Sequence, residues 1–325
     1  MHLPRRRLLQ LGGLAALAAL VRPAHAQAFP TRTVRFIVPF GPASGTDIAA
    51  RLFADRLGAR WGKPVVVENR PGGDGLVAIS AFLGANDDHT LLFIPAGTFM
   101  VHPYEHEKLP YDAERDFLPI AGVTTIVLAI SVAGSINIGS LGELVALLRA
   151  QPGKLNAAAA NGNADFLLFG FLKSAGLQAA KVPYRDIMQA PNDLGENRIQ
   201  VLASSLAIVQ PHMQSGRVKI LAVTSRVRAP TAPDVPTVSE AGYPALELES
   251  QVGVFGPRGM ASDVREAIAA DFRAALAAEP AIATRLAATG QIVQIRGPAE
   301  FAAGLAAQRA KLATIAKALG IKAAQ

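Results

Sequence analysis

Residues 34–47 constrain the fold more than any other stretch of the chain. An apolar, partly β-branched run ends at Phe40, passes through Gly41, Pro42 and Gly45, and reaches Thr46 and Asp47. The first part has the composition of a buried strand. Glycine frees φ and proline fixes it, so together they mark a turn. Thr46 or Asp47 then caps a helix running to about Trp61. A strand that feeds straight into a helix leaves the helix's first N–H groups unpaired and concentrates positive partial charge there. An anion can bind at such a point with no cationic side chain. The same unit also serves as a plain βα connection without a ligand.

The alternation repeats along the chain. Residues 64–68 read as a second strand, 69–75 as a turn, 76–83 as a short apolar helix, and 90–95 as a third strand ending at Ala96-Gly97-Thr98. Strand and helix at this spacing argue a parallel sheet covered on both faces. Ligands of such sheets lie beyond the carboxyl ends of the strands. Residues 103–119 are polar and irregular, and strand-like runs follow at 118–123 and 125–132. Ser140 caps a helix over 141–150, which Pro152-Gly153 ends. A short strand at 155–159 leads into a second strand-to-helix turn, 160–165, and an apolar, buried helix over 166–175. Short strands at 181–184, 201–204 and 220–224 precede a Pro-rich segment, 230–236. A strand at 252–255, a helix at 262–278, a strand at 292–295 and a terminal helix from Pro298 to about Leu319 complete the chain.

This order gives an α/β protein that builds one half, crosses to a second near residue 125 and crosses back near 225–235. It predicts two Rossmann-like lobes: residues 27–124 with 233–325, and residues 125–232. The strand-to-helix turns of both line the cleft between them, and such lobes close on ligand by hinge motion.

The first 26 residues read as an export signal rather than as part of the fold. Arg5-Arg6-Arg7 precedes a short apolar run, and Ala24-His25-Ala26 is a small-residue cleavage site with Gln27 as the mature start. Arg5-Arg6-Arg7-Leu8-Leu9 also fits a twin-arginine signal, with the Sec route as the alternative. The expected location is therefore the periplasm. The chain has 32 Lys+Arg against 25 Asp+Glu, a net +7; the leader removes four arginines and no acid, leaving +3. That mild balance, without a basic run carrying aromatics, argues against nucleic-acid binding. There is no cysteine, which excludes disulfides, thiolate nucleophiles and Cys-based metal sites. No later stretch is apolar for long enough to span a bilayer.

Taken in order, several motifs resemble the Bug family of periplasmic solute-binding proteins, the receptors of tripartite tricarboxylate transporters. The carriers are Val38-Pro39-Phe40 with Gly45-Thr46-Asp47, and Pro64-Val65-Val66-Val67-Glu68-Asn69-Arg70-Pro71-Gly72. Lys108-Leu109-Pro110-Tyr111-Asp112, Gln151-Pro152-Gly153-Lys154-Leu155-Asn156 and Val182-Pro183-Tyr184-Arg185 follow. Leu221-Ala222-Val223-Thr224-Ser225 and the run from Pro233 to Gly242 complete the series. The resemblance implies a type II periplasmic binding-protein fold and a monomeric flytrap. It implies a small organic acid held by backbone N–H groups, small polar side chains and water, and delivery to membrane transporter subunits of the tripartite type. Carried over by position, the contacts are Phe40, Pro42, Ala43, Ser44, Gly45, Thr46, Asp47, Gly97 and Thr98 from the first lobe. Asn161, Gly162, Asn163, Ala164, Asp165, Tyr184 and Ser204 come from the second.

The chain departs from the family pattern at points that bear on the solute. Ala43 and Ser44 stand where two glycines are usual, and their Cβ atoms narrow the turn. Ser204 stands where an Asp is common. Asp165 and Asp186 add carboxylates; if both face the cleft, each repels a second solute carboxylate by about 1 kcal/mol at short range. The chain is therefore expected to prefer a monocarboxylate with an aromatic, amide or cationic end over citrate-like polyanions.

Other constellations carry less. His102, Glu105 and His106 lack a third ligand at metal spacing. The turn at 41–46 lacks the Lys of a phosphate-binding loop and the glycine pattern of a nucleophile elbow. Asp47 and Asp165 read as a helix cap and a solvated rim residue before an acid–base pair, and Arg70 as an ion-pair or turn residue. No catalytic group, cofactor or metal is expected. A ligand sensor presenting the acid to a membrane signalling partner is the alternative to transport.

Overall fold

The computed structural model describes residues 29–160, 162–184 and 187–323. The export signal and its cleavage site, Asn161, Arg185 and Asp186 lie outside them.

The first sheet begins with β1 (Val34–Val38), β2 (Val65–Asn69) and β3 (Thr90–Pro95). These three run parallel, with β1 between the others. The intervening helices are α1 (Gly45–Trp61) and α2 (Leu76–Ala85). The sheet is completed by β4 (Leu118–Ile126), β10 (Ser250–Gly256) and β11 (Gln291–Arg296), in the order β11-β4-β10-β3-β1-β2. Here the all-parallel expectation fails, because β10 pairs antiparallel with both β3 and β4, and β11 antiparallel with β4. The cause is the connectivity. The strand that re-enters from the second lobe arrives from the opposite end, so it inserts between two parallel neighbours without a helical crossover.

The second sheet contains β5 (Leu128–Ala133), β6 (Asn156–Ala159), β7 (Ala180–Lys181), β8 (Val201–Ser205) and β9 (Val218–Val223), in the order β7-β6-β8-β5-β9. Its β6, β7 and β8 are parallel, and β5 is antiparallel to β8 and β9. The strand expected over 181–184 is only the pair Ala180–Lys181, because Pro183 cannot donate to a ladder.

One residue joins the two sheets where the chain first crosses. Val127 belongs to neither strand; its N–H donates to Gly290 O and its carbonyl accepts from Leu206 N–H. On the return, residues 224–249 stay against the second sheet. Thr237 bridges Val223, and Thr224 exchanges hydrogen bonds with Leu248.

The remaining helices follow local sequence. Helix α3 (Ala96–Glu105) follows directly on β3, where the sequence pattern ends the strand at Ala96-Gly97-Thr98 and is irregular from residue 103. Pro103 is tolerated near its C-terminal end, where it removes a single helical bond. A single turn, α4 (Ala113–Asp116), is capped by Asp112. Helix α5 (Leu141–Ala150) has the capping box that Ser140 and Glu143 spell out. Helix α6 (Asn163–Ser174) buries Phe166, Leu167, Leu168 and Leu172, as its apolar composition predicts. Helices α7 (Ala190–Gly195), α8 (Leu206–Gln214), α9 (Ser262–Ala278), α10 (Ala281–Ala287) and α11 (Pro298–Leu319) complete the layers.

Helix α11 touches both halves. Phe301 packs over Gly122 and Gly253 of the first sheet so closely that a Cβ on Gly253 would lie 2.1 Å from its ring. Further along, Ile315 fills the notch left by Gly170 of α6, and Lys173 Nζ donates to Leu319 O at 2.6 Å. Residues of both lobes share one apolar cluster, from Ile37 and Phe99 through Leu305 to Phe166 and Leu172.

Candidate functional site

Four strand ends point at one place. The helices α1, α3, α6 and α8 follow β1, β3, β6 and β8, and residues of their first turns line a common cleft of about 620 Å³. Each first turn has N–H groups that find no acceptor within the helix. Four such ends from two lobes therefore surround the cleft with backbone donors and positive partial charge.

The first of these turns is built by Ala43, Ser44 and Asp47. Ala43 adopts φ 65°, a left-handed conformation that favours glycine and costs an alanine about 1 kcal/mol. This swings the chain so that Ser44 is the last extended residue. Ser44, not Thr46 or Asp47, is the N-cap; its Oγ accepts from Asp47 N–H at 3.2 Å. Asp47 turns inward and is buried. Its carboxylate accepts from Ala43 N–H, Asn69 Nδ2 and Arg51 at 2.8 to 3.0 Å. Burial alone would raise its pKa; the bonds from Arg51, Asn69 and Ala43, with the Arg51 charge, outweigh that and hold it below the usual carboxylate range. Asp47 therefore sets the turn and does not line the cleft.

A buried glutamine, Gln291, ties this turn to the crossing. Its Nε2 donates to Gly45 O at 2.9 Å and to Thr289 Oγ1 at 2.8 Å, while Oε1 accepts from Thr124 Oγ1 at 2.7 Å. Gln291→Ala would remove the bonds to Gly45 O, Thr289 Oγ1 and Thr124 Oγ1 at once. It is expected to cost about 2–3 kcal/mol in a denaturation midpoint, and to weaken solute binding by releasing the start of α1.

Across the cleft the lobes touch. Gly97 lies against the side-chain amide of Asn163; a Cβ on Gly97 would come within 2.3 Å of Asn163 Nδ2 and 2.5 Å of its Cγ. Asn163 is 6% exposed, yet neither its Nδ2 nor its Oδ1 has a hydrogen-bond partner in the protein. Two unsatisfied amide atoms in a buried position are costly unless a solute or water meets them. Asn163 is the first residue of α6 and lines the cleft, so its amide and the helix end serve the same space.

Of the residues expected from sequence, Phe40, Ala43, Ser44, Gly45, Thr46, Gly97, Thr98, Gly162, Asn163 and Ala164 line the cleft. Pro42, Asp47, Asp165, Tyr184 and Ser204 do not. Asp165 pairs with Lys181 at 2.7 Å, so it does not supply the repulsion toward a second carboxylate expected of it. Tyr184 Oη donates to Asp193 at 2.6 Å, and burial together with that carboxylate pushes its pKa up to about 12. Ser204 is fully buried on the other side of its strand. Asn161 lies outside the described residues.

The sequence reading missed Ser205, Ala207 and Ile208 at the end of β8, Ile126 and Leu128 beside the crossing, and Ser250 and Gln291. The strand-to-helix turn at 204–208 holds two serines but no glycine or proline, so it carries a weaker turn signal than the others. The crossing residues carry no local signal.

Two titratable groupings lie outside the cleft. His102 is buried, with Nε2 donating to Asp74 O at 2.9 Å and Nδ1 accepting from Tyr111 Oη at 2.6 Å; burial lowers its pKa and keeps it neutral. Asp87, Asp88 and His89 place their ligand atoms within 4.8 Å of one another. Arg32 pairs with both acids, however, and the His89 ring nitrogens bond Asp88 and Thr31.

Comparison with known proteins follows the same lines. A protein from Pseudomonas sp. (strain P51), described as a UPF0065 protein in the tcbD-tcbE intergenic region, is 32% identical over 281 residues, covering 85% of this chain and 83% of its own. Rpa4515 of R. palustris, solved with adipate, superposes with a TM-score of 0.75 at 27% identity, over 90% of this chain and 99% of its own. MatC of Rhodopseudomonas palustris, solved with bound malate, gives 0.72 at 26% identity, over 88% and 99%. The family profile described as "Tripartite tricarboxylate transporter family receptor" matches residues 49–321. With two α/β lobes, a cleft at their strand ends and a match over most of its length, this chain belongs to the tripartite tricarboxylate transporter receptor family, the Bug proteins.

Proposed function

We propose that this protein is a periplasmic receptor that captures a small carboxylate between its lobes and hands it to a membrane transporter of the tripartite tricarboxylate type. The observation that carries this reading is the convergence of four helix starts on one cleft, with the unpartnered amide of Asn163 among them. Carboxylates match such donors without a cation. Relatives solved with adipate and malate support the class of solute. Among the described residues that line the cleft there is no Asp, Glu or His, and Asp47 and Asp165 are both engaged elsewhere. The reading is of a binding role without turnover. Among the described residues no helix is long and apolar enough to cross a membrane.

Thermal unfolding across a panel of organic acids tests this. A solute that binds only the folded protein stabilises it by about 2.7 kcal/mol at a hundred times its Kd, and the melting temperature rises with concentration. A panel in which no acid shifts the melting temperature would overturn the reading. Native mass spectrometry of the protein as purified is expected to show a retained small acid.

A further inference from the structure

The walls of the cleft specify more than an acid group. Among the described residues that line it, none is Asp, Glu, His, Lys or Arg. Its polar groups are backbone amides and neutral side chains. Ile126 and Leu128 flank the crossing, and Ile208 and Ile187 face it from the second lobe. At the rim stand Phe40 from the first lobe, 37% exposed, and Met188 from the second, 58% exposed. Large apolar side chains left in solvent on both sides of a closing gap gain burial when an apolar body fills it. Ala43 contributes to the same wall at a left-handed φ that glycine would adopt without strain.

Resting on the carboxylate-receptor reading, we propose that the solute is a monocarboxylate whose remaining body is apolar and uncharged, aromatic or aliphatic. One carboxylate satisfies the helix starts and the Asn163 amide. With those donors taken, a second would be stripped of water against aliphatic walls, with no charged side chain among the described lining residues to meet it. A cationic end fares no better, because Asp165 is spent on Lys181 and no carboxylate lines the cleft among the described residues. The preference expected from repulsion by acidic residues thus has a different origin: desolvation.

Isothermal titration calorimetry with benzoate, hexanoate, benzamide, adipate and malate decides the matter. Benzoate or hexanoate is expected to bind at least about tenfold more tightly than adipate or malate, a difference of about 1.4 kcal/mol, with a negative heat-capacity change from apolar burial. Adipate or malate binding as tightly or more tightly would overturn the inference and leave the receptor reading intact. Benzamide matching benzoate would overturn the carboxylate reading itself, and with it the inference, as would no binding by any acid. Ile208→Arg supplies a cation at the apolar end and is expected to shift the ratio of affinities toward adipate by about tenfold. An unchanged ratio in a folded variant, judged by circular dichroism, would also overturn the inference. Should that variant not fold, the unmodified protein's own ratios decide it.

Discussion

In the Gly97→Ala protein, solute affinity is expected to fall about ten- to a hundredfold, while the empty protein stays folded or becomes slightly firmer. The two effects have opposite signs for one reason. Gly97 is in the first turn of α3, where alanine is the better helix former by up to about 1 kcal/mol. Its Cα, however, faces the Asn163 amide across the lobes, and an added Cβ would lie 2.3 to 2.7 Å from three atoms of that amide. The clash exists only while the lobes touch. Calorimetric affinity and the melting temperature without solute separate the two terms. Asn163→Ala in the same background removes the obstacle and should restore closure. A double-mutant cycle then distinguishes that steric role from any bond between Asn163 and the solute. Unchanged affinity in Gly97→Ala alone would mean that the amide swings aside and that the approach of the lobes is not limited here.

Asp47→Ala is expected to cost about 2–4 kcal/mol of stability at neutral pH. It leaves Ala43 N–H without its acceptor, reduces Asn69 Nδ2 to its bond with Phe40 O and Arg51 to its bond with Asn69 Oδ1, and loosens the turn that Ser44 caps. Asp47→Asn keeps the shape and loses the charge, so its cost is smaller. The pH dependence has a fixed sign. The folded pKa of Asp47 is lowered, so its contribution is complete above the unfolded value near 4 and is lost as pH falls through the folded value. The gap in denaturation midpoint between the parent and Asp47→Asn should thus be widest at pH 7 and narrow below about pH 4. A gap that stays constant to pH 3 would remove the charge from the account.

The strand-to-helix turns were legible in the sequence because their signals are local. Gly41, Pro42 and Gly45 mark the first turn, and the Ser140–Glu143 capping box fixes α5 to the residue. Side-chain direction was less legible, because it depends on register. Ser204 and Ser205 are neighbours on β8, yet one is buried behind the sheet and the other lines the cleft, since successive strand residues face opposite ways. Asp165 and Tyr184 belong to the right segments but find partners in Lys181 and Asp193, choices that only the folded neighbourhood reveals. Gln291 was invisible for a stronger reason. Its partners Gly45 and Thr124 are 246 and 167 residues away, and no local pattern marks a polar residue that becomes a keystone through sheet pairing.

Helix α11 rests on the first sheet through Phe301 and on α6 through Ile315. The two seats differ in kind: one is a ring clamped over two strand backbones, the other a methyl group in a notch one glycine wide. Because α6 carries Asn163 at one end and meets α11 farther along, a single helix touches both the cleft and the long C-terminal helix that also rests on the first sheet.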